Sequence, residues 1–152
     1  MTVPFVYLRL HSEYSLVDGL VKLKSLVSTT AERRMPALAL TDEANLFGLV
    51  KFYKAAQGAG LKPIIGSDLW LSNPHDEAHP YRITLLAMND VGYRNLTELI
   101  SKGWTDGQRQ GRAILDKQWV LAQSEGLIAL SGGREGEIGR HLLSEHEREA
   151  RQ

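Results

Sequence analysis

Short apolar runs alternate along this chain with longer segments whose apolar residues recur every three or four positions. The short runs predict five β-strands, at residues 4–10, 37–41, 63–71, 82–88 and 127–131. The periodic segments predict helices at residues 20–35, 45–59, 90–102 and 116–122, and a last helix that begins within the run 132–143. Strands that alternate with amphipathic helices indicate an α/β fold with a parallel sheet and outer helices.

Three residues mark the ends of these helices. Pro36 stops the first helix, Gly60 takes the C-terminal capping position of the second, and the Asp116 side chain can cap a short fourth helix. The polar segments between the periodic ones predict loops at residues 73–80 and 103–113 and a polar, frayed tail over residues 144–152.

Two architectures are open at this point. Five strands fall short of the eight that close a (β/α)₈ barrel, so the chain is either a small open sheet or the first part of a larger barrel. A length of 152 residues leaves room for one domain.

Composition narrows the class of protein. The 18 Lys and Arg residues balance 18 Asp and Glu residues, and this zero net charge argues against a dedicated nucleic-acid-binding module without excluding a local basic patch. The absence of cysteine excludes disulfides, thiol nucleophiles and cysteine zinc sites, and it fits a cytoplasmic protein. No apolar run reaches the length of a transmembrane helix, and the N-terminus does not have the pattern of a secretory signal.

Candidate functional residues lie where strands end, because side chains at the carboxyl ends of parallel strands meet at one edge of the sheet. His11, Ser12, Glu13 and Asp18 follow the first strand, and Asp42 and Glu43 follow the second. Asp68 lies within the third strand, and Ser131, Gly132 and Gly133 lie at the end of the fifth. Arg9 precedes His11 by two positions, so strand alternation predicts that both side chains share a face.

This set supports two interpretations. Imidazole and carboxylate ligands suit zinc or manganese, which favours a metal site. However, the set offers a single histidine, and Arg9 would repel a divalent cation at contact distance. From the residues alone, the favoured interpretation is therefore an ion-pair cluster in which Arg9 and the carboxylates surround a satisfied histidine.

Three other features are weaker. His75 and His79 are spaced like a helical metal pair, but the prolines around them argue against a helix. The run GGREGE at residues 132–137 lacks the lysine and the spacing of a phosphate-binding loop, so it predicts a glycine turn before a helix. Trp104 shares a predicted loop with Arg109 and Arg112, where stacking on a nucleic-acid base competes with a partly buried surface tryptophan.

Five blocks of sequence carry a resemblance to a known family. They are LRLHSEYSLVDGL (8–20), MPALALTDEANLFGLVKFYKAA (35–56), GLKPIIGSDLWL (60–71), LLAMNDVGYRNLTELIS (85–101) and GLIALSGGREGEIGRHLL (126–143). In this order and spacing they resemble the N-terminal PHP-domain segment of bacterial DNA polymerase III alpha subunits. The resemblance implies a partial PHP-type (β/α)₇ barrel, with parallel strands and outer helices, cut after about five strands, and it assigns residues 1–143 to the N-terminal part of that domain.

Metal-competent members of this family bind a trinuclear cluster at the strand ends, and the resemblance implies that most of its ligands are lost here. His11 and Asp18 match the family pattern, and Asp68 stands where the family has glutamate. The lost ligands are histidines at the positions of Arg9, Glu43 and Arg82 and a cysteine at the position of Gly133.

The implied remnant is a degenerate former metal site in which no metal is expected, with His11, Asp18 and Asp68 as weak candidates for residual binding. We hypothesise that fixed cations replace the charge of the metals in a salt-bridge network, because unpaired buried carboxylates are costly. The residues of that network are Arg9 and Arg82 on one side and Asp18, Asp42, Glu43 and Asp68 on the other.

The resemblance also implies a function. It predicts a catalytically silent scaffold, without a cofactor of its own, that docks the proofreading exonuclease subunit within a cytoplasmic polymerase III holoenzyme. The full-length protein would perform template-directed DNA synthesis, using DNA, dNTPs and Mg²⁺ through downstream domains. The alternatives are a metal-dependent PHP phosphoesterase or exonuclease with a depleted site, and a stand-alone binding module unrelated to replication.

Overall fold

The computed structural model describes residues 5–16 and 18–151, which fall into two compact units, Met1–Ser67 and Asp68–Gln152. We call them the N-terminal unit and the C-terminal unit. Among the described residues, no helix combines the length and the apolar character needed to cross a membrane.

The N-terminal unit is built on two parallel strands and two helices. Its elements are α1 (Leu23–Glu32), β1 (Ala37–Leu40), α2 (Leu49–Gly58) and the first residues of β2 (Lys62–Leu71). β1 pairs in parallel with β2 from Ala37↔Lys62 to Leu40↔Ile65. All four β1 residues are buried, as expected of a short apolar run covered on both faces. The core joins side chains of both helices and of β1, including Val27, Leu38 and Phe52.

The first predicted strand, residues 4–10, is not a regular strand: residue 4 lies outside the described residues, and residues 5–10 have no regular secondary structure. Two main-chain hydrogen bonds still join this segment to the neighbourhood of β1, from Ala39 N–H to Tyr7 O (2.9 Å) and from Thr41 N–H to Leu10 O (2.9 Å). Between these bonds one segment advances by three residues and the other by two, so the even register of a parallel ladder is lost.

The glycine cap predicted at the end of α2 is confirmed. Gly60 has a φ of +71°, which an L side chain disfavours. The Leu61 N–H donates to Ala56 O (2.9 Å) and the Gly60 N–H donates to Gln57 O (3.1 Å). This pair of hydrogen bonds is a Schellman motif, and it satisfies carbonyls that the helix would otherwise leave open.

The C-terminal unit contains five neighbouring strands in the order β4-β5-β2-β3-β6. After β2, its elements are β3 (Tyr81–Ala87), α3 (Asp90–Thr105), β4 (Gln108–Arg109), β5 (Arg112–Leu115), α4 (Lys117–Ala122), β6 (Leu127–Leu130), α5 (Glu137–Leu143) and α6 (Glu147–Ala150). The predicted cap of α4 is confirmed, since the Gln118 N–H donates to the Asp116 carboxylate at 2.7 Å.

The prediction of an all-parallel sheet is wrong for this unit. β5 pairs in parallel with β2, but β6 is antiparallel to β3 and β4 is antiparallel to β5. An apolar run predicts that a strand exists but not its direction. Between β3 and β6 the chain contains two helices and a hairpin rather than the single crossover helix that a parallel pair requires.

The predicted loop at residues 103–113 is also wrong. α3 continues to Thr105, so Trp104 is helical, and the chain then forms the β4–β5 hairpin. By contrast, residues 73–80 contain no helix or strand, as predicted. In the tail, α6 is a short helix, and the prediction that this tail frays stays a prediction.

Two glycines at the end of α2 provide a matched test of the cap. A Cβ built on either Gly58 or Gly60 meets no atom within 4 Å, so only backbone conformation distinguishes them. We expect Gly60→Ala to lower the free energy of unfolding by about 1 kcal/mol, because alanine disfavours positive φ. Gly58→Ala, inside the helix, should raise it by about 0.5–1 kcal/mol. Urea unfolding measures both, and equal effects of the two variants would contradict the assignment.

Candidate functional site

The predicted site residues form two groups, one in each unit. Arg9, His11, Asp18, Asp42 and Glu43 belong to the N-terminal unit. Asp68, Arg82 and Gly133 belong to the C-terminal unit.

In the N-terminal unit, His11 and Asp18 form the first contact. His11 Nδ1 lies 2.7 Å from Asp18 Oδ2, and the side chains are 10% and 60% exposed. An ionised carboxylate only accepts hydrogen bonds, so Nδ1 carries the proton in this contact. Arg9 is exposed, and because its segment is not a regular strand, the prediction that it shares a face with His11 loses its basis.

Asp42 is the most deeply placed carboxylate of this unit, with 1% of its surface exposed. Its Oδ1 accepts from the Ser12 N–H (2.6 Å) and from the Ser15 hydroxyl (2.8 Å), and its Oδ2 accepts from the Ser12 hydroxyl (2.9 Å). Its main-chain carbonyl accepts from the Ser67 hydroxyl at 2.7 Å. Serine and main-chain donors therefore hold Asp42, where the salt-bridge hypothesis expected an arginine.

Ser15 and Ser67 are the residues that sequence reasoning missed in this group. A short 3-10 turn over Glu13–Ser15, capped by Ser12, places the Ser12 and Ser15 hydroxyls on one side of the turn. The Ser15 hydroxyl also accepts from the Glu43 N–H at 3.0 Å, which ties Glu43 to the same turn. The spacing of Ser12 and Ser15 is the one sequence signal for this cluster, since it suits a capped turn. It does not show that the two hydroxyls donate to Asp42, which is 27 to 30 residues away.

In the C-terminal unit, strand alternation assembles the second group. Asp68 and Trp70 are two positions apart on β2, and Arg82 and Thr84 are two positions apart on the neighbouring β3. Residues spaced by two project from the same face of a sheet, so these four side chains meet there.

The contacts within this group surround Asp68, which is fully buried. Its Oδ1 accepts from the Thr84 hydroxyl at 2.5 Å, and its Oδ2 lies 3.3 Å from Arg82 Nη1. The Arg82 guanidinium carbon lies 3.7 Å from the centre of the Trp70 ring, and Arg82 Nε lies 3.8 Å from Glu135 Oε2. Arg82 is itself buried, so its charge and that of Asp68 compensate one another away from solvent.

The weaker candidates fall elsewhere in the C-terminal unit. His79 Nδ1 lies 2.7 Å from Asp76 Oδ2, and this hydrogen bond lowers the pKa of the Asp76 carboxyl. His75 and His79 occupy a turn rather than a helix, in agreement with the prolines around them. Gly133 lies in a 3-10 turn (Gly133–Glu135) before α5, as the glycine run predicts.

A family model described as the PHP domain matches residues 7–152. The chain belongs to the PHP domain family. The resemblance inferred from the five sequence blocks is thereby confirmed.

Curated relatives of this PHP domain are DNA polymerase III alpha subunits. That of Pseudomonas aeruginosa is 57% identical over 150 residues, an alignment that covers 99% of this chain and 13% of the relative. That of Escherichia coli K12 is 50% identical over 139 residues, which covers 91% of this chain and 12% of the relative. The chain thus spans about an eighth of the length of the relatives it matches.

Among solved structures, an amidohydrolase from Chromobacterium violaceum with bound SO4 and no metal has a TM-score of 0.48 to this chain. It is 23% identical, and the match covers 64% of this chain and 34% of that one.

The Asp68 group does not fit a divalent metal. Both carboxylate oxygens of Asp68 already have close neighbours, and one neighbour is a guanidinium that would repel a cation bound there. Over residues 5–16 and 18–151, no group of three or more His, Asp or Glu side chains is arranged to hold a metal ion.

The hydrogen bonds that Asp42 accepts should contribute measurably to the free energy of unfolding. We expect Asp42→Ala to lower the free energy of unfolding by about 3 kcal/mol or more, because buried Ser12 and Ser15 donors lose their acceptor. Asp42→Asn keeps an acceptor oxygen of the same shape and should cost about 1–2 kcal/mol. Urea unfolding of both variants tests this order, and equal costs would contradict the role given to the carboxylate.

The Arg82–Asp68 pair should be strongly coupled. We expect Arg82→Met to lower the free energy of unfolding by about 3–5 kcal/mol, because the buried Asp68 carboxylate then loses the guanidinium beside it. Adding Asp68→Asn to that variant should recover much of the loss, since both charges are then gone. A double-mutant cycle by urea unfolding measures the coupling, and additive effects would show that the two side chains are independent.

Proposed function

We propose that this chain is the N-terminal PHP segment of a DNA polymerase III alpha subunit, and that it serves there as a metal-free structural scaffold. In this proposal residues 1–143 form the opening part of a PHP-type (β/α)₇ barrel. The relatives at 57% and 50% identity support the assignment to the alpha subunit. The contact between Arg82 and Asp68 is the observation that carries the metal-free role.

The physical reason is charge replacement. A PHP metal site gathers carboxylates whose repulsion the metal ions balance, so loss of the metals requires other compensation. In this chain the Arg82 guanidinium lies 3.3 Å from the buried Asp68 carboxylate. Because the guanidinium is covalently part of the chain, it cannot dissociate as a metal ion can, and Asp68 becomes part of the core of the C-terminal unit.

The activity of the whole protein is part of the same proposal. The full-length polypeptide would carry out template-directed DNA synthesis in the cytoplasm, and its polymerase site would use Mg²⁺, DNA and dNTPs. None of that chemistry is assigned to the residues of this chain. The partners would be the proofreading exonuclease subunit, docked on the PHP segment, and other holoenzyme subunits.

The contact between His11 and Asp18 favours a second candidate. Both residues match the ligand pattern of metal-competent PHP domains, and they lie 2.7 Å apart in the N-terminal unit. A depleted site that binds a single ion and hydrolyses phosphodiesters is the competing function.

One experiment separates the two functions. Full-length protein is purified, its zinc and manganese are measured by elemental analysis, and it is assayed for primed-template synthesis and for manganese-dependent exonuclease activity. We expect synthesis with Mg²⁺, substoichiometric zinc and manganese, and co-elution with the exonuclease subunit on size-exclusion chromatography.

The control is a variant of one remnant ligand. Asp18→Ala should leave synthesis unchanged. Manganese-dependent hydrolysis that disappears in Asp18→Ala would establish the second candidate instead. A full-length protein without synthesis on primed DNA would overturn the assignment to the polymerase subunit.

A further inference from the structure

The β4–β5 hairpin presents two arginines side by side. Arg109 and Arg112 are directly paired across the antiparallel strands, so their side chains leave the same face of the hairpin. The two residues between them, Gln110 and Gly111, both have positive φ (51° and 79°), which is the conformation of a tight two-residue type I′ turn. Residues 108–112 are all exposed, and we call them the arginine hairpin.

This pairing is unfavourable for the hairpin itself. Like charges directly opposite one another destabilise an antiparallel pair, and the sequence of the arginine hairpin, QRQGR, contains no carboxylate. The nearest compensation is modest. Arg109 Nη1 lies 3.1 Å from Glu77 Oε2, but these side chains are 56% and 79% exposed, so solvent and salt screen the pair. The exposed face of the hairpin therefore carries a local positive charge from Arg109 and Arg112.

The base of the hairpin holds the arginines in place. Ala113 and Leu115 are buried, and β5 pairs with β2 through Ile114 and Leu115. A Cβ built on Gly107 would lie 2.0 Å from Ile114 O, so the residue that precedes β4 approaches β5 closely. The Arg112 guanidinium carbon lies 5.4 Å from the centre of the Trp70 ring, which further orders that side chain. The two charges are thus pre-organised rather than carried on a mobile loop.

We propose that the arginine hairpin binds the phosphodiester backbone of duplex DNA. Guanidinium groups match phosphate geometry with paired hydrogen bonds, and a two-stranded β-ribbon fits the major groove. Apart from Gly111, the side chains offered are arginine and glutamine, which donate to phosphates and to base edges alike. That the nucleic acid is DNA rests on the proposed function. The zero net charge of the chain does not oppose this, because phosphate contacts depend on the local charge.

The test uses full-length protein and a fluorescein-labelled primer–template duplex, with the dissociation constant measured by anisotropy over a range of KCl concentrations. We expect Arg109→Gln with Arg112→Gln to weaken binding by about tenfold at ~0.1 M KCl and to reduce the slope of log Kd against log [KCl] by about 2. The matched control is Arg94→Gln with Arg148→Gln, which removes the same charge from exposed positions of the same unit. This control should bind like the wild type.

Two more variants separate binding from structure. Arg109→Lys with Arg112→Lys keeps both charges and should restore most of the salt slope, whereas a purely structural role of the guanidinium groups would not be rescued. Glu77→Gln removes the carboxylate beside Arg109 and should tighten binding at low salt. The glutamine variant should retain the wild-type kcat at saturating primer–template while its KM for that DNA rises.

The outcomes divide clearly. If the wild type synthesises DNA and the glutamine variant binds duplex with the affinity and salt slope of the control, this inference fails while the proposed function stands. Unchanged DNA binding together with lost capture of an acidic holoenzyme subunit would likewise overturn it in favour of a protein partner. If the wild type neither binds nor extends the primer–template, both proposals fail.

Discussion

The desolvation of carboxylates is the constraint on which both units depend. Asp42 and Asp68 are 1% and 0% exposed. Burying an ionised carboxylate without hydrogen-bond or charge partners would cost more free energy than any single contact of the fold contributes. Each unit must therefore supply donors or a cation in a fixed geometry. This requirement decides which serines, threonines and arginines are placed around the strand ends.

The two carboxylates are stabilised by different chemistry. Asp42 receives three short hydrogen bonds from Ser12 and Ser15, so its charge is spread over neutral donors. Asp68 accepts from the Thr84 hydroxyl and lies beside the Arg82 guanidinium. Hydroxyl donors are adaptable, whereas the Arg82–Asp68 pair is costly to break from either side. The two units thus hold their buried carboxylates with different kinds of partner.

Charge is used differently at the surface of the C-terminal unit. In its interior, Arg82 has carboxylates as neighbours and a tryptophan ring against its plane. On the β4–β5 hairpin, Arg109 and Arg112 face one another with a single exposed carboxylate beside them. The same residue type stabilises the core in the first case and is presented to solvent in the second. The net charge of the chain counts buried and exposed arginines alike, so it does not predict whether a local surface binds an anion.

The order of apolar runs and periodic segments was enough to place most helices and strands, because burial in α2 or β3 follows from local spacing. Gly60 and Asp116 also marked their helix ends correctly, since capping uses groups only a few residues apart. The five family blocks identified the PHP domain by residue type and spacing alone.

Tertiary structure decided the rest. The direction of β6 relative to β3 and the broken register beside β1 depend on pairings between distant residues. The β4–β5 hairpin is local, but its short strands carry no apolar run that would separate them from a loop. The donors of Asp42 come from positions 27 and 30 residues away, and those distances carry no periodic signal. The sequence by itself therefore determined which residues are buried or cap a helix, because those properties follow from local spacing. Only the folded chain decided which partner each buried charge received.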